Sequence, residues 1–278
     1  MIFDGWPLLT FVYNRFLSKS NFRAKKSLGQ NYIQDPNIIR KIVQSVSITE
    51  EDTLLEIGPG PGALTHALLQ TAAHKIIIIE KDTQFIDYWQ SLQHPKLEII
   101  HKDALNVSLQ SLSLRPLTIV ANLPYNVGTQ LVLQWLEELS LIKSMTLMLQ
   151  KEVVLRMSAS PGSKDYGRLS ILTQWLCHAE RLFDVPPTAF KPQPKVNSSI
   201  VHLVPRATSL FPAEKESLEK ITAALFQQRR KMIKKSLQSL WKDPLPVLES
   251  LNILPTERPE NLSIEQLCAL ARSFSYSS

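Results

Sequence analysis

Two short stretches of the sequence carry residue types that could do chemistry. Glu56-Ile-Gly-Pro-Gly-Pro-Gly62 places a carboxylate ahead of three alternating glycines. Asn122-Leu123-Pro124-Tyr125 places a side-chain amide beside a stiff turn and an aromatic ring. A glycine-rich turn from a strand into a helix lets a nucleotide lie against bare main chain. The first stretch therefore predicts a nucleotide pocket, and the second offers neutral hydrogen-bonding groups for a substrate.

The glycine stretch is compatible with two kinds of nucleotide. As a relaxed dinucleotide fingerprint it has Gly58, Gly60 and Ala63. As an S-adenosylmethionine site it has Glu56 followed by Gly58, Gly60 and Gly62 without a gap. S-adenosylmethionine carries a cation and a ribose but no phosphate, so acidic residues around its pocket are favourable. We expect S-adenosylmethionine, and a nicotinamide oxidoreductase is a distant alternative.

The elements that must position these residues alternate between strand and helix. Strands are predicted at residues 53–57, 75–80, 97–100, 117–121 and 145–149. This alternation is typical of a doubly wound α/β sheet, in which ligands bind beyond the carboxyl ends of the strands. Those ends carry Glu56, Glu80, Asp103 and Asn122. We expect Glu80 to accept from the ribose hydroxyls and Asp103 from the adenine amine.

The second half of the chain has a different pattern. Residues 169–176 and 198–204 are predicted as strands that close the sheet, and helices are predicted at 212–227, 230–241 and 263–273. The predicted organisation is an N-terminal extension (1–24), a methyltransferase domain (25–205) and a small all-helical RNA-binding domain (206–278). Asp35-Pro36 predicts a helix start, because aspartate is a good N-cap and proline suits the first helical position.

The Asn122 stretch suggests methylation of an adenine amino group. That nitrogen is a poor nucleophile, because its lone pair is delocalised into the ring. The Asn122 side-chain oxygen and the Leu123 carbonyl could hold its two N–H groups and favour a pyramidal nitrogen. Pro124 would stiffen the turn and Tyr125 would offer a ring for stacking. Catalysis would then come from positioning and fixed dipoles, without a charged base.

Composition and charge limit the possible partners. The 278 residues are 44% hydrophobic and carry a net charge of +6, which is typical of a soluble protein with an anionic partner. Basic residues concentrate in two regions free of acids, residues 5–34 and 226–242, although each region could simply be a solvated face. Neither cysteine has a metal-ligand spacing, so no metal is expected. No apolar run is long enough to cross a membrane.

Nine motifs together resemble one known family. They occur in order at residues 30–33, 56–65, 80–82, 103–105, 122–126, 150–153, 166–169, 190–198 and 226–231. The set is similar to the ribosomal RNA adenine dimethyltransferases of the KsgA type, and it runs from about residue 25 to residue 240. Tyr32-Ile33 stands where Phe-Leu is usual, and Asn197 stands where Asp is usual. The first 20 residues match nothing in the family.

The resemblance implies a Rossmann-like S-adenosylmethionine-dependent enzyme. It would transfer two methyl groups to N6 of each of two adjacent adenosines in the 3′-terminal hairpin loop of small-subunit (16S) rRNA. By position the resemblance implies that Asn31, Ile33, Gly58, Glu80, Asp103 and Asn122 contact the cofactor, and Glu56 and Gly60 of the glycine stretch complete the predicted cofactor-binding residues. It also implies that Phe190 stacks on the target base opposite Tyr125, so the predicted catalytic residues are Asn122, Leu123, Pro124, Tyr125 and Phe190.

The expected partner is small-subunit rRNA within a pre-30S particle, bound by a cytoplasmic monomer without any membrane. The expected RNA-binding residues are Lys25, Lys26, Lys195, Arg229, Arg230, Lys231, Lys234 and Lys235. Two further functions remain open at this point. One is a large-subunit rRNA adenine methyltransferase that confers antibiotic resistance, and the other is an RNA-binding assembly factor without catalysis.

Overall fold

The computed structural model describes residues 23–25 and 28–275 of the chain. Within this part the strands are β1 (Tyr32–Ile33), β2 (Thr53–Ile57), β3 (Lys75–Glu80), β4 (Leu97–His101), β5 (Leu117–Asn122), β6 (Ile142–Gln150), β7 (Cys177–Val185), β8 (Phe190–Lys191) and β9 (Ser198–Pro205). The α-helices are α1 (Pro36–Gln44), α2 (Ala63–Leu68), α3 (Ile86–Ser91), α4 (Gly128–Trp135), α5 (Lys151–Met157), α6 (Arg168–Leu176), α7 (Lys215–Phe226), α8 (Ile233–Leu237), α9 (Leu245–Ser250) and α10 (Ile264–Ser275).

Seven strands form one sheet in the order β4-β3-β2-β5-β6-β9-β7. The pairs from β4 to β6 are parallel and β6 pairs with β9 antiparallel. The four isoleucines of β3 are almost wholly buried, as in a parallel sheet that is covered on both faces. The predicted Rossmann-like sheet with a helical C-terminal region is confirmed.

A separate two-stranded ribbon lies outside this sheet. β1 pairs with β8 antiparallel, and Ile33 lies opposite Phe190. Neither short strand is predicted from the sequence, because two residues give no detectable alternation of polar and apolar side chains. The ribbon joins the segment before α1 to the proline-rich segment near residue 190.

One predicted strand is wrong. Residues 169–176 form helix α6, and the strand that pairs with β9 begins only at Cys177. Five of the nine residues of α6 are buried, so the helix has no clear polar face. A short apolar run of this kind cannot be assigned to helix or strand from periodicity alone. The sequence also misses α5 and α9.

The chain divides into two compact units. The first comprises the chain up to residue 154 together with residues 180–205, and the second comprises residues 155–179 and the chain from residue 206 onwards. Residues 155–179, which the sequence places in the first domain, group with the second unit, where α6 packs against α7. In that unit α7 also packs against α10, and Leu218, Ile221 and Leu267 are fully buried.

Neither cysteine is in a disulfide, and both are buried. In the part of the chain that the structure describes, no helix is long and apolar enough to cross a membrane. Nor do the described His, Cys, Asp and Glu residues form a group of three that could hold a metal ion.

The start of α1 provides a test of local stability. The Asp35 carboxylate accepts from the backbone N–H groups of Asn37 at 2.8 Å and Ile38 at 3.2 Å. We expect Asp35→Ala to lower the free energy of unfolding by about 1 kcal/mol, because two helix N–H groups lose their acceptor. Asp35→Asn keeps an oxygen acceptor and should retain most of the stability. Urea unfolding followed by circular dichroism measures both, and equal losses in the two variants would contradict the capping role.

Candidate active site

The loop between β2 and α2 approaches an aromatic side chain closely. Gly58, Gly60 and Gly62 have φ angles of +63°, +54° and +98°, in the left-handed region that favours glycine. A Cβ atom on Gly60 would lie 2.7 Å from Cε1 of Tyr32, which is too close for any side chain. The loop therefore presents main chain rather than side chains to the pocket beyond β2.

Two carboxylates that line this pocket are buried. Glu56 is 2% exposed, and its carboxylate accepts from the Thr65 hydroxyl at 2.7 Å. The Glu80 carboxylate accepts from the backbone N–H groups of Gly60 at 3.0 Å and Asp82 at 2.7 Å. Burial raises the pKa of Glu56 to about 8, against the opposing effect of the Thr65 hydrogen bond. Burial also raises the pKa of Glu80. A bound cation or a pair of hydroxyl donors would stabilise both charged forms.

A third carboxylate follows β4. Asp103 accepts from the backbone N–H of Leu105 at 3.1 Å and from the Lys81 ammonium group at 2.7 Å. The hydrogen bond from Lys81 holds the pKa of Asp103 below its usual value. Asp103 is therefore charged at neutral pH, and it lines the same pocket as Glu56 and Glu80.

The amide of Asn122, at the end of β5, has a fixed orientation. Its Nδ2 donates to the backbone carbonyl of Asn31 at 3.0 Å. Because the donor and the acceptor of an amide lie on opposite branches, this bond leaves Oδ1 as the free acceptor. Both asparagines line the pocket with the glycine loop, and a Cβ on Gly58 would lie 3.8 Å from Cγ of Pro124. The amide and the glycine loop thus belong to one pocket.

The turn that follows Asn122 is held at three points. The Leu123 backbone N–H donates to the Met148 carbonyl of β6 at 3.1 Å, and the Pro124 carbonyl accepts from the backbone N–H of Gly128 at 2.8 Å. The Tyr125 hydroxyl forms a hydrogen bond with Ser198. Burial raises the pKa of Tyr125, so the phenol is neutral at physiological pH. The ring of Tyr125 lines the pocket in a fixed position.

The hydrogen-bond acceptors that line this pocket fit S-adenosylmethionine. The carboxylates of Glu56, Glu80 and Asp103 would attract its cationic end and accept from its hydroxyl and amine groups. The pyrophosphate of a dinucleotide would be repelled by the charged Asp103 and has no hydrogen-bond donor to offer Glu56 or Glu80. Gly58 and Gly60 have no side chains to exclude either ligand. The acidic side chains are therefore what favours S-adenosylmethionine over a dinucleotide.

Comparisons with known proteins agree with this chemistry. The family described as ribosomal RNA adenine dimethylase matches residues 21–275. A ribosomal RNA small subunit methyltransferase A from Rhodospirillum rubrum is 43% identical over 273 residues, which cover 97% of this chain and 93% of that protein.

The chain belongs to the ribosomal RNA adenine dimethylase family.

Solved structures extend the comparison to the fold. The dimethylase is similar to the crystal structure of a dimethyladenosine transferase from Plasmodium falciparum, with a TM-score of 0.76, 27% identity and coverage of 88% of this chain and 97% of that one. It is also similar to the 23S rRNA methyltransferase ErmE, with a TM-score of 0.67, 25% identity and coverage of 88% and 100%. The prediction of an S-adenosylmethionine-dependent rRNA adenine dimethyltransferase is confirmed.

All the cofactor-binding residues that the sequence proposes for the dimethylase line one pocket. They are Asn31, Ile33, Glu56, Gly58, Gly60, Glu80, Asp103 and Asn122. The proposed catalytic residues Leu123, Pro124 and Tyr125 line it too. No role is predicted from the sequence for the carbonyl of Asn31 or for the Ser198 hydroxyl. Ser198 does end one of the family motifs, which is the signal that could have drawn attention to it.

Phe190 is not brought to the pocket. Its ring is 3% exposed and packs in the hydrophobic core, because β8 pairs with β1 and sets Phe190 opposite Ile33. In this structure Phe190 therefore does not line the pocket with Tyr125. Its stacking on the target base opposite Tyr125 stays a prediction.

The basic residues of the dimethylase divide into two groups. Lys25 is paired with Asp82 at 2.7 Å. Arg229 is paired with Glu260 at 2.8 Å and also donates to the Ser163 carbonyl. Lys195, Arg230, Lys231 and Lys235 are exposed, Lys234 is half-buried, and Lys26 lies outside the described residues. Lys25 and Arg229 thus also link parts of the protein, and their contact with phosphates stays a prediction.

The raised pKa of Glu56 predicts that cofactor binding depends on pH. Below pH 8, a ligand that requires the carboxylate must displace a proton from Glu56. We expect the affinity for S-adenosylmethionine to rise with pH by up to about tenfold per unit and to level off above the Glu56 pKa. Isothermal titration calorimetry in two buffers of different ionisation enthalpy measures the released proton.

Glu56→Gln is the matched control, since it keeps the hydrogen-bonding shape without the titration. This variant retains any proton release that comes from the amino group of the ligand itself. Equal proton release by the variant and the natural protein would exclude Glu56 as the source.

Proposed function

We propose that this protein dimethylates N6 of two adjacent adenosines in the 3′-terminal hairpin loop of small-subunit rRNA. The observation that carries the proposal is the amide of Asn122, which is held by Asn31 in the pocket formed by the glycine loop. Relatives of similar length, such as the small subunit methyltransferase A of Rhodospirillum rubrum, support the choice of ribosomal subunit.

Asn122 and Leu123 would hold the target amine. The Asn122 Oδ1 atom and the Leu123 carbonyl supply two fixed acceptors for its two N–H groups. Holding both N–H groups out of the ring plane localises the lone pair on nitrogen, which makes the amine a better nucleophile. After one methyl transfer a single N–H remains, so one acceptor is enough to position the nitrogen again. The proton can leave to water after each transfer, and no charged base is needed.

Tyr125 would stack on the target base. Its hydroxyl is tied to Ser198, so the ring is already fixed before RNA binds and loses little conformational freedom. Stacking of a base on an aromatic ring contributes about 1–3 kcal/mol. An adenine must leave its own stack to reach this ring, which costs less from a hairpin loop than from a duplex.

The carboxylates and the glycine loop would hold the cofactor, which supplies an electrophilic methyl group when it is bound. We assign Glu80 to the ribose hydroxyls and Asp103 to the adenine amine, because both side chains already lie at the pocket as acceptors. Gly58 and Gly60 leave their main chain open to the ligand. Asn31, Ile33 and Glu56 complete the lining around it.

The exposed basic residues would bind rRNA phosphates. Lys195, Arg230, Lys231 and Lys235 carry charges without a described acidic partner, and Lys234 lies beside them in sequence. Such contacts add affinity that falls with salt but give little base specificity. We place the reaction on a pre-30S particle in the cytoplasm, with a monomer as the active form, and the shape of that particle would select the target loop.

Transfer of tritium from labelled S-adenosylmethionine tests the substrate. We expect incorporation into undermethylated small ribosomal subunits, approaching four methyl groups per particle, and only background incorporation into large subunits. Mass spectrometry of the digested rRNA should show dimethyladenosine. Labelling of large subunits alone would favour the antibiotic-resistance alternative, which the similarity to small-subunit relatives does not favour.

Replacement of Asn122 tests the mechanism. We expect Asn122→Ala to lower the rate of methyl transfer by about 100-fold, because the amine loses one of its two acceptors. Asn37→Ala, at an exposed asparagine of α1, is the control and should keep the natural rate. Rapid-quench single-turnover assays with labelled cofactor give the rates. An Asn122→Ala protein that still methylates at the natural rate would remove the amide from the mechanism.

Cellular assembly separates catalysis from a scaffolding role. Under the non-catalytic alternative, cells that carry only Asn122→Ala should assemble small subunits normally even though the rRNA lacks dimethyladenosine. Such a result would assign assembly to the bound protein rather than to its methyl transfer.

A further inference from the structure

We propose that Asp82 is a positioning residue for methyl transfer, and that it acts through Lys25 and the segment at residues 28–31 on the amide of Asn122. Asp82 follows Glu80 at the carboxyl end of β3, and it does not line the pocket. The inference rests on the proposed function, since it takes Asn122 to be the group that holds the target amine.

The carboxylate of Asp82 is fully buried and surrounded by donors. One oxygen accepts from the Lys25 ammonium group at 2.7 Å and from the backbone N–H of Gln84 at 3.2 Å. The other accepts from the side-chain amides of Gln30 at 2.8 Å and Gln84 at 2.6 Å. Burial alone would raise the pKa of Asp82, but the hydrogen bonds from Lys25, Gln30 and Gln84 outweigh burial and lower it. Asp82 is therefore a charged carboxylate that accepts four hydrogen bonds.

Two of these donors, Lys25 and Gln30, precede β1 in the chain. Lys25 and Gln30 both reach Asp82, and the Gln30 side-chain oxygen accepts from the Lys25 backbone N–H at 2.7 Å. Gln84 adds a further link through the carbonyl of Arg23 at 3.3 Å. Asp82 thereby anchors the segment that leads into β1.

The anchored segment is the one that orients Asn122. Gln30 is followed directly by Asn31, whose carbonyl accepts from Asn122 Nδ2 at 3.0 Å. On its other side Asn31 is followed by β1, which pairs with β8. If the Gln30 side chain lost its partner, the Asn31 carbonyl would keep only this second restraint, and the amide of Asn122 would be held less firmly. A misplacement of about 1 Å in a reacting group can cost about 100-fold in rate.

The Asp82 side chain and its main chain have separate roles. Its backbone N–H donates to the Glu80 carboxylate at 2.7 Å, on the side of the pocket assigned to the cofactor ribose. A change of side chain leaves this backbone bond in place. The expected defect of a side-chain variant therefore falls on the transfer step at saturating cofactor rather than on Glu80.

Asp52 provides a matched control for stability. It is a buried aspartate too, it is paired with Lys143 at 2.7 Å, and it accepts from Thr49. Asp52 does not line the pocket. Asp52→Asn removes the same charge from a comparable ion pair and should destabilise the protein without touching the segment that orients Asn122.

The test compares single-turnover methyl transfer to small subunits by the full-length variants at saturating cofactor. We expect Asp82→Asn to lower the rate at least about tenfold, with the dissociation constant for S-adenosylhomocysteine changed less than about threefold. Gln30→Ala should lower the rate similarly, and the double variant should be no slower than the worse single variant, because both changes break one link. Asp52→Asn should stay within about twofold of the natural rate.

Several results would overturn the positioning role. They are an unchanged rate in Asp82→Asn, an equal loss in Asp52→Asn, or multiplied losses in the double variant. If Asp82→Asn does not fold, Gln30→Ala alone decides, since an unchanged rate there breaks the proposed link. The natural protein and Asn122→Ala are assayed in parallel. Failure of the natural protein to methylate, or full activity of Asn122→Ala, would instead overturn the proposed function.

Discussion

The hydrogen bond from the Asn122 amide to the Asn31 carbonyl determines what the pocket can do. It joins the end of β5 to a segment 91 residues earlier in the chain. An unrestrained amide could present either its NH₂ group or its oxygen to a substrate. With Nδ2 committed to Asn31, the oxygen is the atom left for the substrate, and an acceptor is what an amino group requires. The neutral chemistry of the site follows from this one contact.

Buried charge is the second constraint on the site. Glu56 and Glu80 are both nearly inaccessible, and their hydrogen bonds do not outweigh burial, so both pKa values are raised. Burial of a carboxylate is costly unless hydrogen bonds or opposite charges compensate. Asp82 shows the compensated case, with four donors and a lowered pKa. The directions of the pKa shifts thus distinguish Glu56 and Glu80, which line the pocket, from Asp82, whose charge is stabilised by hydrogen bonds within the protein.

Ion pairing also decides which basic residues are available to an external anion. Lys25 and Arg229 fall within the two acid-free regions of the sequence, yet each has an acidic partner in the folded chain. Those partners, Asp82 and Glu260, lie 57 and 31 residues away. Charge counted along a sequence measures neighbours in the chain, whereas electrostatic pairing depends on neighbours in space. Arg230 and Lys231 are exposed and have no described acidic partner, so they can meet an external anion without breaking an ion pair.

Features that depend on local pattern can be predicted from the amino-acid sequence. The buried strands β2, β3 and β5, the glycine turn and the polar residues at the strand ends follow from composition and spacing, since each is set within a few residues. Long-range contacts determine that residues 169–176 are helical, that Phe190 is buried in the core, and that the Asn122 amide donates to Asn31. Each of these outcomes depends on a partner far away in the chain, and no local pattern records which distant group will arrive there.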